Sequence, residues 1–353
     1  MNKFYILLLT AMLCLSLTGC GLWIQDSYIS VKPYQVENVN AEYEMITVAS
    51  YEQLQEALET MVEDCVQSAI IAVPGFQESA IDEQMSSATN YIIRNNAIGA
   101  YAVEQIAYEV GTSGEDLAIA VDISYRYNRS NILRMKRVEN AEAASEEIKL
   151  ALQQYDSGIT LYINDYNETD FLQVIQDYVD ENPQLCVEMP QVAAAIYPES
   201  GQMRVLDLTF DYWNSREVLR SMQENVMDVL GQLEVRGESA QQRATEVYNF
   251  LTDLHPYTVE TSVTPSYSLL RYGVGDSKAF ATVYAAMCRE KGIQCKVVSG
   301  SRGGVAWYWN AVYDNGQVYY LDILRCYEGT GFRLLQEHQM SGYVWDYSAY
   351  RTQ

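Results

Sequence analysis

Histidine is nearly missing from this chain: His255 and His338 are the only two in 353 residues. That excludes a histidine-rich metal site and leaves few side chains able to move a proton near neutral pH. No C-x-x-C pair occurs among the seven cysteines, so neither a zinc site nor a thioredoxin-like motif is indicated. Basic residues are scarce too: 23 Lys plus Arg stand against 47 Asp plus Glu, a formal net charge of −24. Nucleic-acid binders need a basic face, so this balance argues against that class. It argues equally against a protein lying flat on an anionic membrane through charge. The plainest effect of the acidity is solubility through self-repulsion. What is present is a globular composition, 48% hydrophobic with 12% aromatic and 20% charged residues, unlike a disordered or fibrous chain. At this length two or three domains with proper cores are expected.

The first residues also lack something: a hydrophobic run long enough to span a membrane. Lys3 precedes FYILLLTAMLCLSL, which is short for a span and has no stop-transfer flank. The run ends in Leu17-Thr18-Gly19-Cys20, which resembles the bacterial lipobox. The resemblance implies a signal peptide over residues 1–19, removed so that Cys20 becomes the lipidated first residue. It further implies an extracytoplasmic protein tied to the bacterial cell membrane, with the lipid bilayer as a partner through acylated Cys20. Residues 20–45 show no sustained periodicity and are expected to be a tether. Past the lipidation site, Cys65, Cys186, Cys288, Cys295 and Cys326 remain. An odd set of five permits at most two disulfides, and all five also suit small buried apolar positions.

An internal repeat follows the tether. DCVQSAIIAVPGF (64–76) matches QYDSGITLYINDY (154–166), and VEQIAYEVGTSGEDLAIAVDISYRYN (103–128) matches PQVAAAIYPESGQMRVLDLTFDYWN (190–214). Asp122, Tyr125 and Tyr127 of one copy correspond to Asp207, Phe210 and Tyr212 of the other. Each copy reads as helix, short strand, helix, two alternating strands around a glycine-bearing turn, and a closing helix, SNILRMKRV or SREVLRSMQENVMDVLGQL, whose serine suits an N-cap. Two α+β modules are expected, over 46–136 and 137–235, with charged VRGESAQQRA (235–244) marking the boundary to a third region.

From Ala244 the pattern sharpens. A helix runs to about His255-Pro256, and Gly273, Gly275 and Asp276 build a turn. A helix is expected from Ser277 to Lys291, stopped by Gly292. IQCKVVSGS and AWYWNAVYDNGQVYYLDIL follow as strands, the second stretch folding about Asp314-Asn315-Gly316 as a hairpin. GDSKAFATVYAAMCREKGIQCKVVSG, WYWNAVYDNGQVYYLD and GFRLLQEHQM resemble, in order, the blocks of the transglutaminase-like superfamily, a papain-like fold. The expected architecture is therefore α+β: a C-terminal transglutaminase-like domain over 240–353, preceded by the two modules.

The resemblance implies a Cys-His-Asp triad, with the thiolate at a helix start, a histidine base on a strand and an aspartate orienting it. Carried over by residue, the nucleophile position is Ser277, the base position Trp307 and the orienting position Asp322. Serine needs a base to take its proton, and the indole nitrogen can only donate. Neither His255 nor His338 falls where the base belongs. Read without the family, Ser277 suits an N-cap, Asp322 suits a buried acceptor for the Trp307 N–H or for a backbone amide, and Trp307 and Trp309, two apart on a strand, suit one core and one surface aromatic. The expectation is a non-catalytic domain that binds peptide, peptidoglycan or an envelope protein, with Tyr272, Tyr308 and Trp309 as contact residues and without cofactor or metal. The alternative is an active amidase or acyl-transferase working through Ser277 or another nucleophile.

Overall fold

The computed structural model describes residues 45–113 and 116–350. The expected signal peptide, Cys20 and the part of the expected tether before Met45 lie outside them. No helix among the described residues is long and apolar enough to cross a membrane.

Each repeat forms a four-stranded mixed sheet with the same strand order. The first unit runs β1 (Met45–Thr47), α1 (Tyr51–Glu63), β2 (Ser68–Ala72), α2 (Glu78–Arg94), α3 (Ala97–Ala102), β3 (Val103–Ser113), β4 (Asp116–Tyr125) and α4 (Arg129–Leu133). The second runs β5 (Lys136–Asn140), α5 (Ala141–Gln153), β6 (Gly158–Asp165), α6 (Phe171–Glu181), β7 (Gln191–Tyr197), β8 (Arg204–Asp211) and α7 (Arg216–Gly231). The sheets are ordered β1-β2-β4-β3 and β5-β6-β8-β7, the first pair of each parallel and the rest antiparallel. Helices cover the apolar faces: α1 buries Leu54, Leu58, Met61 and Val62, and α5 buries Ala144, Ile148 and Leu152.

The likeness reaches individual bonds. Asp122 Oδ1 accepts from the hydroxyl of its cross-strand neighbour Ser68 at 2.5 Å, and Asp207 Oδ1 accepts from its neighbour Thr160 at 2.7 Å. Both first helices are followed by a non-glycine residue in the left-handed region, Cys65 at φ 53° and Tyr155 at φ 52°. Together these matches place Ser68 opposite Thr160 in the repeat, two residues from the position that the sequence match gives it. The second copy is longer there by two, which preserves the side-chain alternation of the strand.

Three expectations are corrected. Each unit opens with a short strand, β1 or β5, ahead of the helix. The closing helix of the first unit is only α4, capped by Asn128 rather than by a serine, and Lys136–Asn140 is already the next strand. Ser215 does cap α7, but the buried residues Leu219, Val226 and Leu230 of that helix pack into the C-terminal core. A helix read as closing one module thus serves as a wall of the next.

The C-terminal region contains α8 (Ala240–Asp253), α9 (Pro265–Tyr272), α10 (Ser277–Glu290), β9 (Cys295–Arg302), β10 (Val305–Asp314), β11 (Gln317–Leu321), the single turn α11 (Ile323–Arg325) and β12 (Tyr343–Val344). Its sheet, ordered β11-β10-β9-β12, is antiparallel throughout. Helix α10 is buried along nearly all its length; the Tyr284 hydroxyl donates to Ala244 O of α8 at 2.8 Å, and Asn310 Nδ2 on β10 donates to Ala281 O at 2.8 Å. These two bonds tie the helix to both neighbours inside the core. All five described cysteines are buried, and no disulfide links them.

Candidate functional site

The turn before α10 is built by its glycines. Gly273 ends α9 with φ 71°, and a Cβ there would meet Pro256 O at 2.7 Å. Val274 then bridges to Thr258, and Asp276 caps α10, its Oδ1 accepting from Ala279 N at 2.9 Å and its Oδ2 from the Thr261 hydroxyl at 3.1 Å. The reading of Ser277 as an N-cap is thus corrected: Asp276 is the cap, and Ser277 is the first residue of the helix. Freed from capping, Ser277 Oγ accepts from the backbone N–H of Tyr308 on β10 at 3.3 Å. Ser277 is 8% exposed, between helix and sheet.

Trp307 stands one residue along on β10, and its Nε1 donates to Asp322 Oδ2 at 2.9 Å. Asp322, 3% exposed, directly follows β11 and caps α11, where its Oδ1 accepts from Arg325 N at 3.1 Å. Its Oδ2 also accepts from the Tyr343 hydroxyl at 2.5 Å and lies 3.5 Å from Arg302 Nη1. The carboxylate therefore faces four donors, one of them a guanidinium. The Arg302 guanidinium stacks over the Trp307 ring at 5.2 Å and lies 5.8 Å from the Tyr343 ring centre, covering the pair. Burial, then the bond to Asp322, raise the Tyr343 phenol above its ordinary value, so it remains a donor.

The three positions read from the sequence are thus gathered at one end of α10. Trp307 makes to Asp322 the bond that an imidazole N–H would make to an orienting carboxylate. Its indole has no lone pair in the ring plane, so it can position and fill but cannot accept a proton. The two histidines lie elsewhere: His255 Nε2 is 3.1 Å from Leu270 O, and His338 sits exposed in a 3₁₀ turn. The family scan falls on this arrangement: the model described as "Transglutaminase-like superfamily" matches residues 230–323.

Residues 230–323 form a transglutaminase-like domain.

No curated protein matches the chain. Solved structures similar to it include two that follow. One is a TGase, 10% identical, covering 54% of this chain and 58% of its own at a TM-score of 0.26. The other is a candidate protease from Parabacteroides distasonis, 8% identical, covering 72% of this chain and 39% of its own at a TM-score of 0.23. The chain spans less than two thirds of the length of either.

The transglutaminase-like domain divides the three proposed contact aromatics. Tyr308 is half-buried, its ring 5.8 Å from Lys278 Nζ. Tyr272 is 60% exposed at the end of α9, edge-on to Tyr267 at 5.6 Å. Trp309 is a correction: it is 1% exposed, packed against Tyr343 and Trp345 in a second core, and offers no surface to a ligand. It shares the strand face of Trp307, as spacing requires, and the Tyr343 and Trp345 rings cover that face at Trp309.

Sequence reasoning missed Arg302, Tyr343 and the helix α9. The Thr264-Pro265 start of α9 was a legible signal, as was Ser239-x-x-Gln242, a capping box that begins α8 four residues ahead of the expected start. Tyr343 carried no local signal, because it reaches Asp322 only when β12 pairs with β9. Among the described residues no group of three or more His, Cys, Asp or Glu could hold a metal ion.

Proposed function

We propose that this is a membrane-anchored, extracytoplasmic lipoprotein whose transglutaminase-like domain is non-catalytic and serves in binding peptide, cell wall or protein. The observation that carries the reading is the Trp307–Asp322 bond at 2.9 Å, because it occupies the orienting carboxylate with a group that cannot be a base. Ser277 then has no proton acceptor of the kind the triad uses, and a serine hydroxyl without one is a poor nucleophile. Anchoring rests on the lipobox-like Leu17-Thr18-Gly19-Cys20.

An amidase or acyl-transferase acting through Ser277 is the competing reading. It is favoured by the serine's place on the first turn of α10, where unpaired N–H groups gather. A fluorophosphonate probe separates the two. The proposal expects no covalent adduct on Ser277 after prolonged exposure; an adduct mapped there by mass spectrometry overturns it. Anchoring is tested apart from this, since Cys20→Ser is expected to move the protein from the membrane to the soluble fraction.

A further inference from the structure

Beside the start of α10, but away from Trp307 and Asp322, a cavity of about 270 Å³ opens at the seam between the second repeat and the transglutaminase-like domain. Val179, Pro183 and Val187 wall it on the repeat side, and Pro265, Ala279 and Thr282 on the other. Seams between domains are favoured places for ligand sites, and predominantly apolar walls suit an apolar group. Trp213, which follows β8, borders this cavity while 73% exposed.

An indole left in water forgoes a large apolar burial, so its position calls for a reason. The turn that carries it is held by a costly device. Glu188 is 1% exposed, and its carboxylate accepts from Trp213 N at 2.5 Å and Asn214 Nδ2 at 2.6 Å. Burying a carboxylate against two neutral donors is expensive, and here it fixes the turn that presents Trp213. A backbone turn fixed at a cavity mouth holds its aromatic side chain within reach of the opening.

The charge of the lining narrows the ligand. Asp180 and Asp276 contribute two carboxylates against the single ammonium of Lys278, which lies 2.8 Å from Asp180. A lining that carries one carboxylate in excess beside an apolar hollow complements an apolar side chain flanked by cations. The volume lies just under the range usual for whole small-molecule ligands, about 300–1,000 Å³, and suits one side chain better than a sugar pair.

We propose that this seam cavity receives one apolar side chain of an extended peptide with basic neighbours, Trp213 closing against it. The proposal gives the binding reading above a place and a ligand class, and does not require Ser277 to be silent. Ligand-observed NMR on the full chain tests it with three capped tripeptides, Lys-Phe-Lys, Lys-Ser-Lys and Glu-Phe-Glu. Lys-Phe-Lys is expected to bind at least tenfold tighter than either of the others and to weaken as salt is raised. Trp213→Ala, at an exposed position that leaves the core intact, should weaken it by about fivefold, while Leu133→Ala, at an exposed apolar position of the first repeat, leaves it unchanged. Equal binding of the serine or glutamate peptide overturns the proposal, and so does indifference to Trp213→Ala. Loss of binding in Tyr308→Ala but not in Trp213→Ala would retain peptide binding and remove the cavity. If none of the three binds at about 5 mM, the cavity assignment fails by itself; a muramyl peptide that still bound would keep the binding role.

Discussion

Replacing Asp322 by alanine should unfold the transglutaminase-like domain more readily, because the carboxylate is the acceptor on which one corner of the domain is assembled. The change leaves the Trp307 N–H and the Tyr343 hydroxyl without their acceptor and removes the cap of α11. Hydrogen bonds to a charged group contribute roughly 1.5–3 kcal/mol each, and a lost N-cap costs about 1 kcal/mol. Against this, the buried charge no longer has to be desolvated, which returns several kcal/mol of the gross loss. The balance is a destabilisation of about 3 kcal/mol, in the range seen when one partner of a buried charged pair is removed. Trp307, Trp309 and Trp345 all lie in this corner, so urea unfolding followed by tryptophan fluorescence reports on it. Asp322→Asn keeps one acceptor oxygen and should cost less, about 1–2 kcal/mol. If Asp322→Ala unfolds within about 0.5 kcal/mol of the parent, the carboxylate is not the structural acceptor described.

The same corner orders two further variants. Trp307→His retains a ring N–H for Asp322, whereas Trp307→Phe removes the donor, so histidine should be the milder change by about 1 kcal/mol despite its smaller ring; the reverse order in urea unfolding would count against the bond. Gly300→Ala should cost about 2–3 kcal/mol, since a Cβ would meet Val344 O at 2.4 Å and Trp309 Cη2 at 2.7 Å where β12 crosses β9; a neutral change would mean that β12 can move away. The five described thiols should resist iodoacetamide: all are buried, and burial pushes Cys186 up to about 12, so its thiolate is scarce at pH 8. Residue-resolved mass spectrometry that finds any of them alkylated as fast as free cysteine would contradict the packing.

Much of this architecture was legible because it rests on local pattern. The repeat showed in matched strands, and its aspartates, Asp122 and Asp207, make the same cross-strand bond in both copies. The Asn315-Gly316 hairpin formed as read, with both residues at positive φ and Asp314 paired with Gln317. The end of α10 at Gly292 was equally readable, that glycine lying at φ 68°. What escaped depended on pairing across distance. The opening strands β1 and β5 are short and gain their order only from parallel pairing with β2 and β6. Helix α7 carries an apolar face, but nothing in its own sequence says which domain that face will meet. Within the site, Ser277, Trp307 and Asp322 were found by position, while Arg302 and Tyr343, which complete the shell around the carboxylate, come from the end of one strand and the partner that joins its edge. Trp309 was misread as a contact residue because its strand face is apolar and aromatic in either case, and only the Tyr343 and Trp345 rings decide that it is covered.

We propose that an acyl-transfer frame persists at the start of α10 with both reactive groups replaced. Restoring them tests it most directly: the double variant Ser277→Cys, Trp307→His compared with Ser277→Cys alone, each titrated with iodoacetamide from pH 5 to 9. A thiol at a helix start beside an imidazole held by Asp322 should have its pKa lowered, so the double variant should still be alkylated rapidly near pH 6, well below the ordinary thiol value of about 8.5. The single variant should lose reactivity as an ordinary thiol does. If the double variant reacts no faster than the single one at pH 6, the three positions do not share the geometry of a triad, and the account of this site is wrong.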